Sequence, residues 1–128
     1  MNTLVLKLKQ ELDEQGNLEE FTNDVNEITD SDTLEHLDAD GLPATGTHVS
    51  EGMLLVAKIG ATKAYSKARL PNVLERATLA EQEVVRRIRA LIYDRSLYVP
   101  QGVAGVVKSA YFEQEGDRRV AVVHLELD

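Results

Sequence analysis

Lys58 closes the run Gly52-Met-Leu-Leu-Val-Ala-Lys58 and is the first basic residue after Lys9. An amine at the end of an apolar segment is a point for covalent attachment, as in a swinging-arm carrier. Such attachment needs an exposed hairpin tip, and here a turn stands on one side only; a lysine ending a strand explains the position as well. His36, His48 and His124 are the only imidazoles. None stands at ligand spacing from a second histidine or a carboxylate pair, so no metal centre is read from them. Asp38 and Asp40 lack the later glutamate of a calcium-binding loop. No nucleophile–base pair or glycine-rich phosphate loop occurs, and neither a cofactor nor a catalytic residue is assigned. The largest chemically coherent set is basic: Lys63, Lys67, Arg69, Arg76, Arg86, Arg87 and Arg89. Cations so grouped contact nucleic acid phosphates or an acidic protein. They also suit a solvated helix face balanced by Glu75, Glu81 and Glu83. Aromatic residues make up 5% of the chain, too few for a base-stacking surface.

These residues need elements to position them. Leu4, Leu6 and Leu8 alternate with Val5, Lys7 and Lys9, which predicts a half-buried strand within Thr3–Leu12, followed by a turn at Asp13–Asn17. Residues 18–32 are acidic and weakly periodic, suiting a second extended piece or a loop. Residues 32–39 predict a short helix capped by Asp32 or Thr33 and ended by Gly41. Short strands are expected at 47–49 and 54–59 around a Ser50-Glu51-Gly52 turn, with Gly46 and Gly52 at positive φ. Residues 61–72 form a basic connection.

Residues 78–94 predict one amphipathic helix. Thr78 and Glu81 have the spacing of a capping box. Val84, Val85, Ile88, Leu91 and Ile92 share a face, and Glu83 is placed to pair with Arg87. Strands at 97–99, 105–113 and 118–127 follow, with a turn at 114–117. The last strand is apolar on both faces, as in a barrel or sandwich interior. The expected fold is β-rich α+β, a small sandwich-barrel hybrid with these two helices. It forms one domain over 1–128, divided into an acidic segment at 1–40 and a β core at 41–128.

Bulk properties set the limits. A chain of 128 residues with 43% hydrophobic and 28% charged side chains fits one globular domain. No run approaches the ~20 apolar residues of a membrane span. The absence of cysteine excludes disulfides and thiolate metal sites, and the amino terminus lacks the pattern of a signal peptide. A cytoplasmic protein with no membrane association is expected. The net charge of −8 is uneven: residues 1–57 hold 2 basic and 13 acidic side chains, whereas residues 58–128 hold 12 and 9. The acidic half would repel phosphate, which argues against a simple nucleic-acid coat.

Several segments, read in order, carry a family likeness. They are Asn26-Glu-Ile-Thr29, Leu37-Asp-Ala-Asp-Gly41, Gly46, Val49, Gly52 to Lys58-Ile59, Val85-Val-Arg-Arg-Ile-Arg-Ala-Leu-Ile92, and Asp94-Arg-Ser-Leu-Tyr-Val-Pro-Gln-Gly-Val-Ala-Gly105-Val-Val107. Across residues 26–107 the chain resembles the β subunit of bacterial DNA-directed RNA polymerase, in the wall or flap-base region. The most specific run is Ser96-Leu97-x-Val99-Pro100-x-Gly102-x-x-Gly105. The resemblance implies a non-catalytic scaffold in DNA-templated transcription, with other polymerase subunits and DNA or an RNA–DNA hybrid as partners. It marks Gly46, Gly52, Lys58, Ser96, Leu97, Val99, Pro100, Gly102 and Gly105 as structural.

There are departures from the family pattern. Met53 replaces an aspartate and Ala57 a glycine, and the family's Lys-Gly-Glu-rich stretch is absent. Only about ten residues join the last two strands, where the family inserts a flap arm whose tip docks sigma factor, so that contact is not implied. The Gly-Asp-Lys-x-x-x-Arg-His-Gly segment that reaches the polymerase centre is not among the 128 residues. Whether the chain belongs to a nucleotidyltransferase or is a stand-alone protein-binding module therefore stays open at this point.

Overall fold

Alternation of leucine with polar residues at the amino terminus and continuous valine near the carboxyl terminus dictate how the main sheet forms. The computed structural model describes residues 2–66 and 68–128. Among the described residues, in chain order, lie β1 (Thr3–Lys9), β2 (Glu20–Phe21), β3 (His48–Ser50), β4 (Leu54–Val56), β5 (Lys58–Ala61), a 3-10 turn (Lys63–Ser66), α1 (Val73–Thr78), α2 (Glu81–Arg89), β6 (Ile92–Asp94), β7 (Leu97–Tyr98), β8 (Ala104–Glu115) and β9 (Arg118–Leu127). The fold is β-rich α+β. A four-stranded antiparallel sheet runs β1-β9-β8-β3, a three-stranded one β2-β5-β6, and β4 pairs with β7. None of the described helices is long and apolar enough to cross a membrane.

β1 lies beside β9 in the register Leu4↔Leu125, Leu6↔Val123 and Leu8↔Ala121. Its leucines therefore face the core while Val5 and Lys7 face outward, as the period of two requires. β9 is the spine of the molecule. Ala121, Val123 and Leu125 enter the core with Phe21, Val49, Leu55, Val99 and Val107, and Val120 and Val122 are buried as well. A bulge between Val107 and Ser109 resets β8 by one residue. Ala110 and Phe112, opposite Val123 and Ala121, thus return to the core side behind Val107. Only Gly116 and Asp117 separate β8 from β9, Gly116 having a φ of 63°.

Three expectations are corrected. Residues 32–39 form turns, not a helix. The Asp38 carboxylate accepts from the N–H groups of Asp40 (2.9 Å) and Leu42 (3.0 Å), and Leu37 bridges to Pro43. The Asp38 side chain thereby closes a turn at 38–42 by local bonds that compete with a helix.

Residues 78–94 do not form one helix. Thr78 ends α1 and bonds back to the Glu75 carbonyl (3.0 Å), so no capping box forms. α2 begins at Glu81 with Ala80 as an N-cap that makes no side-chain bond. Residues 92–94 leave the helix to pair with β5 as β6.

Residues 54–59 are two strands. Ala57 donates to the Gly41 carbonyl (2.9 Å) and accepts from Thr22 (3.3 Å), and there the chain steps from one sheet to another. Gly41 permits this approach: its φ is +78°, and a Cβ there would lie 2.5 Å from the Ala57 oxygen.

Candidate functional site

The amphipathic face of α2 buries Val84 and Ile88, so its arginines must project from the remaining faces. Arg86 donates to Glu83 through Nε (2.9 Å) and Nη2 (2.6 Å), and Arg87 reaches the same carboxylate through Nε at 3.0 Å. These bonds, the Arg86 contact first, hold the Glu83 carboxyl down to about 2, and Glu83 in turn raises the Arg86 guanidinium above its ordinary value. Arg89 bonds the Glu27 carbonyl (2.8 Å) and the Asp30 carboxylate (2.9 Å). Arg76 pairs with Glu27, and Arg69 with Glu75 at 2.5 Å. The Lys63 amide donates to Glu14 at 3.1 Å. Lys67 lies outside the described residues.

The basic set is thus interleaved with carboxylates, Glu75 and Glu83 from its own half and Glu27 and Asp30 from the acidic one. The charge asymmetry of the sequence closes on itself in the fold, because Glu27 and Asp30 of the acidic half meet Arg76 and Arg89 of the basic one. Each exposed pair is worth only about 0–1 kcal/mol. Their consequence is electrostatic: the guanidinium field facing outward is partly neutralised before any ligand arrives.

The glycine-punctuated motifs build a separate hydrogen-bonded frame. Ser96 Oγ accepts from the Lys58 N–H at 3.0 Å and donates to the Lys58 carbonyl at 3.3 Å, while the Arg95 amide donates to the same carbonyl at 2.9 Å. Gly52 donates to the Val99 carbonyl (2.9 Å), and Val99 to that of Met53 (2.8 Å). Leu97 and Val99 pack in or against the core. Pro100 accepts from Val103 (3.2 Å) in a turn where Gly102 takes a φ of 77°. Gly46 and Gly52 take φ of 89° and 84°, as their turns were expected to need. Gly105 is a packing glycine, since a Cβ on it would lie 2.3 Å from the Glu126 carbonyl oxygen.

Lys58 is no attachment point in this arrangement. It is 3% exposed, and its ammonium lies 2.8 Å from the carboxylate of Glu19, itself 2% exposed. The ammonium also donates to the Lys9 carbonyl at 2.7 Å. Glu19 further accepts from the Glu11 amide (2.9 Å), with Arg95 3.6 Å away. A buried pair needs such extra bonds to offset its desolvation.

Sequence reasoning missed Glu19, and its only signal was an acidic pair, Glu19-Glu20, set between the apolar Leu18 and Phe21. It also missed Tyr98. Burial first, and then donation to Asp94, pushes that phenol up to about 12, against a weaker opposing bond with Thr29 at 2.6 Å. Through Thr29 the Asn26–Thr29 motif is tied to the Ser96–Gly105 run. The histidines are separate: His36 bonds the Leu54 carbonyl (2.7 Å), His48 meets Asp128 (2.8 Å), and His124 meets the Tyr111 hydroxyl (3.0 Å).

A β-rich module with a hydrogen-bonded motif frame and an arginine-bearing helix is the class that this geometry defines. Residues 1–126 match the family model described as RNA polymerase Rpb2, domain 6, and the chain belongs to that family. It is similar to the DNA-directed RNA polymerase subunit beta of Rubrobacter xylanophilus, 39% identical over 89 residues that cover 70% of this chain and 7% of that protein. It is also similar to the same subunit of Leuconostoc mesenteroides, 33% identical over 112 residues (84% of this chain, 8% of that protein). The subunit of Staphylococcus saprophyticus is 33% identical over 104 residues, 77% of this chain and 8% of its own length. The chain spans less than a tenth of the length of these relatives.

Proposed function

We propose that this chain is a non-catalytic scaffold module of DNA-templated transcription, equivalent to the wall or flap-base part of a polymerase β subunit. It acts in the cytoplasm as one domain of sandwich-barrel character. Its partners are other polymerase subunits, with DNA or an RNA–DNA hybrid passing near α2. The observation that carries this reading is the family match over residues 1–126, within which the motif segments bond to one another around Lys58 and Ser96. A frame so tied holds α2 and the adjoining loops in fixed positions, which is what a wall requires. Sigma contact is not proposed, because a two-residue turn joins β8 to β9 where a flap arm would stand.

The test is association. The purified chain is mixed with polymerase subunits and, separately, with an RNA–DNA hybrid at low salt. Binding to either supports the proposal, and binding to neither ends it for the isolated protein.

A second reading, a stand-alone protein-binding module, is favoured by the pairing of Arg69, Arg76, Arg86, Arg87 and Arg89 with carboxylates of the same chain. Salt-sensitive binding to a protein without nucleic-acid binding would select it.

A further inference from the structure

α1 is fastened by polar bonds while its aliphatic side chains face water. A six-residue helix does not persist on its own. Here Asn72 Oδ1 caps the Glu75 amide at 2.8 Å, Arg76 pairs with Glu27, and Glu75 meets Arg69 at 2.5 Å and Arg87 at 3.9 Å. None of its residues is buried: Val73 is 86% exposed and Leu74 75%. Leu70 just before it and Tyr65 of the 3-10 turn are also exposed and line one hollow. Scattered apolar residues on a surface need no explanation, but a contiguous cluster on a helix held in place by charge does.

Two hollows flank this helix, separated by the Glu27–Arg76 pair that lines both. One, of about 190 Å³, is floored by Ile28, Ile59, Ile88 and Ile92. The other, of about 240 Å³, is lined by Leu79, Val84 and Val85. Each has room for an aliphatic side chain.

Charge then narrows the occupant. Arg69, Arg76 and Arg87 are engaged by carboxylates of the chain. Glu20 and Asp24 at the first hollow and Glu81 at the second stand in no ion pair among the described residues. Among the described residues that line the two hollows, the carboxylates of Glu20, Asp24 and Glu81 are therefore the charges left without an ion pair.

We propose that α1 and its two hollows are a docking face for a protein segment that combines large aliphatic side chains with lysine or arginine. The aliphatic groups cover Val73 and Leu74 and enter the hollows, and the cations meet Glu20, Asp24 and Glu81. Nucleic acid does not fit, since its phosphates would face those carboxylates and find no aliphatic match. This inference rests on the surface of α1 and not on the transcription reading, so either can fail without the other.

The probe is a synthetic amphipathic helix of leucine and lysine, titrated into the isotope-labelled chain and followed by amide chemical shifts. Leucine–glutamate and serine–lysine peptides are the controls. Saturable shifts confined to residues 20–28, 59–65 and 68–92, which line the two hollows and α1, with the leucine–lysine peptide alone, are expected. Val73→Ser with Leu74→Ser should weaken binding about tenfold, equivalent to ~1.4 kcal/mol. Glu20→Gln with Asp24→Asn should flatten its salt dependence. Equal binding of the leucine–glutamate peptide, shifts elsewhere, or affinity unchanged in the serine variant would overturn the proposal. So would self-association of the chain that the serine variant abolishes, or displacement of the peptide by an RNA–DNA hybrid. Both sets of substitutions lie on exposed side chains, and the wild-type titration reads the site without them.

Discussion

Ser96 straddles Lys58: one hydroxyl accepts from the lysine's N–H at 3.0 Å and donates to its carbonyl at 3.3 Å. Two segments distant in the sequence are joined at a residue where β4 has ended and β5 begins, and where a strand partner for the amide is missing. Ser96→Ala leaves the Lys58 N–H without that partner. The expected loss is about 1–3 kcal/mol of stability, the cost of a stranded buried donor. Urea unfolding with an unchanged m-value would confirm it, and a loss near zero would show that another acceptor replaces the hydroxyl.

Below this bridge the Lys58 side chain meets Glu19, with both groups out of solvent. Glu19→Gln strands an ammonium, and a cost of about 3–5 kcal/mol is expected. Glu19→Leu combined with Lys58→Met should cost less than the two single changes added together, because neither charge is then left alone. Denaturant titration of the four proteins closes this cycle, and strict additivity would mean that the two side chains act independently.

Gly105 sets the spacing of β8 and β9 where β3 joins the sheet, opposite Leu127. A methyl group there meets the Glu126 carbonyl oxygen at 2.3 Å, against backbone that cannot swing aside. Gly105→Ala is expected to destabilise by about 1–3 kcal/mol through overpacking. A thermal melt compared with that of Gly16→Ala separates crowding from backbone strain. Gly16 has a φ of +78° and open space around its missing side chain.

Elements whose pattern is local were legible in the residues. Leu4, Leu6 and Leu8 announced a one-sided strand, and the valines of β9 announced one enclosed on both sides. What was misread has a common cause, in which a local rule was met but a tertiary partner prevailed. Thr78 and Glu81 have capping-box spacing, yet β5 draws residues 92–94 into a sheet and the helix shortens to Glu81–Arg89. The acids at 32–40 suited a capped helix, but Asp38 folds back onto Asp40 and Leu42. Glu19 was invisible because its meaning lies in Lys58, which local spacing cannot connect to it. The charge asymmetry was plain in the sequence, whereas its internal pairing required the fold.

Tyr98 offers a readout of the joint between the Asn26–Thr29 and Ser96–Gly105 segments. Its phenol is pushed up to about 12, by burial first and then by its bond to Asp94, against an ordinary 10 in the unfolded chain. The folded state therefore holds this proton more tightly. Its contribution is fully present below pH 10 and is lost as the pH rises from 10 toward 12. Absorbance titration should show one of the four tyrosines ionising late. Tyr98→Phe should delete that step, and Asp94→Asn should move it toward 10. A titration from which Tyr98→Phe removes no late step would contradict this arrangement.

Glu83 is the lever by which the proposed contact of α2 with phosphate can be tested without removing an arginine. Its carboxylate holds Arg86 and Arg87 and remains ionised down to about pH 2, so at neutral pH it always offsets them. Glu83→Gln releases Arg86, leaves Arg87 only its longer contact with Glu75 (3.9 Å), and removes a charge that repels phosphate. If the helix lies beside nucleic acid, the variant should bind an RNA–DNA hybrid several-fold more tightly at low salt. Its log K should also fall more steeply with log salt, because more counterions are displaced. Fluorescence anisotropy across a salt series measures both quantities. Unchanged affinity and slope would mean that Arg86 and Arg87 face no phosphate, and would leave protein contact as the role of this helix.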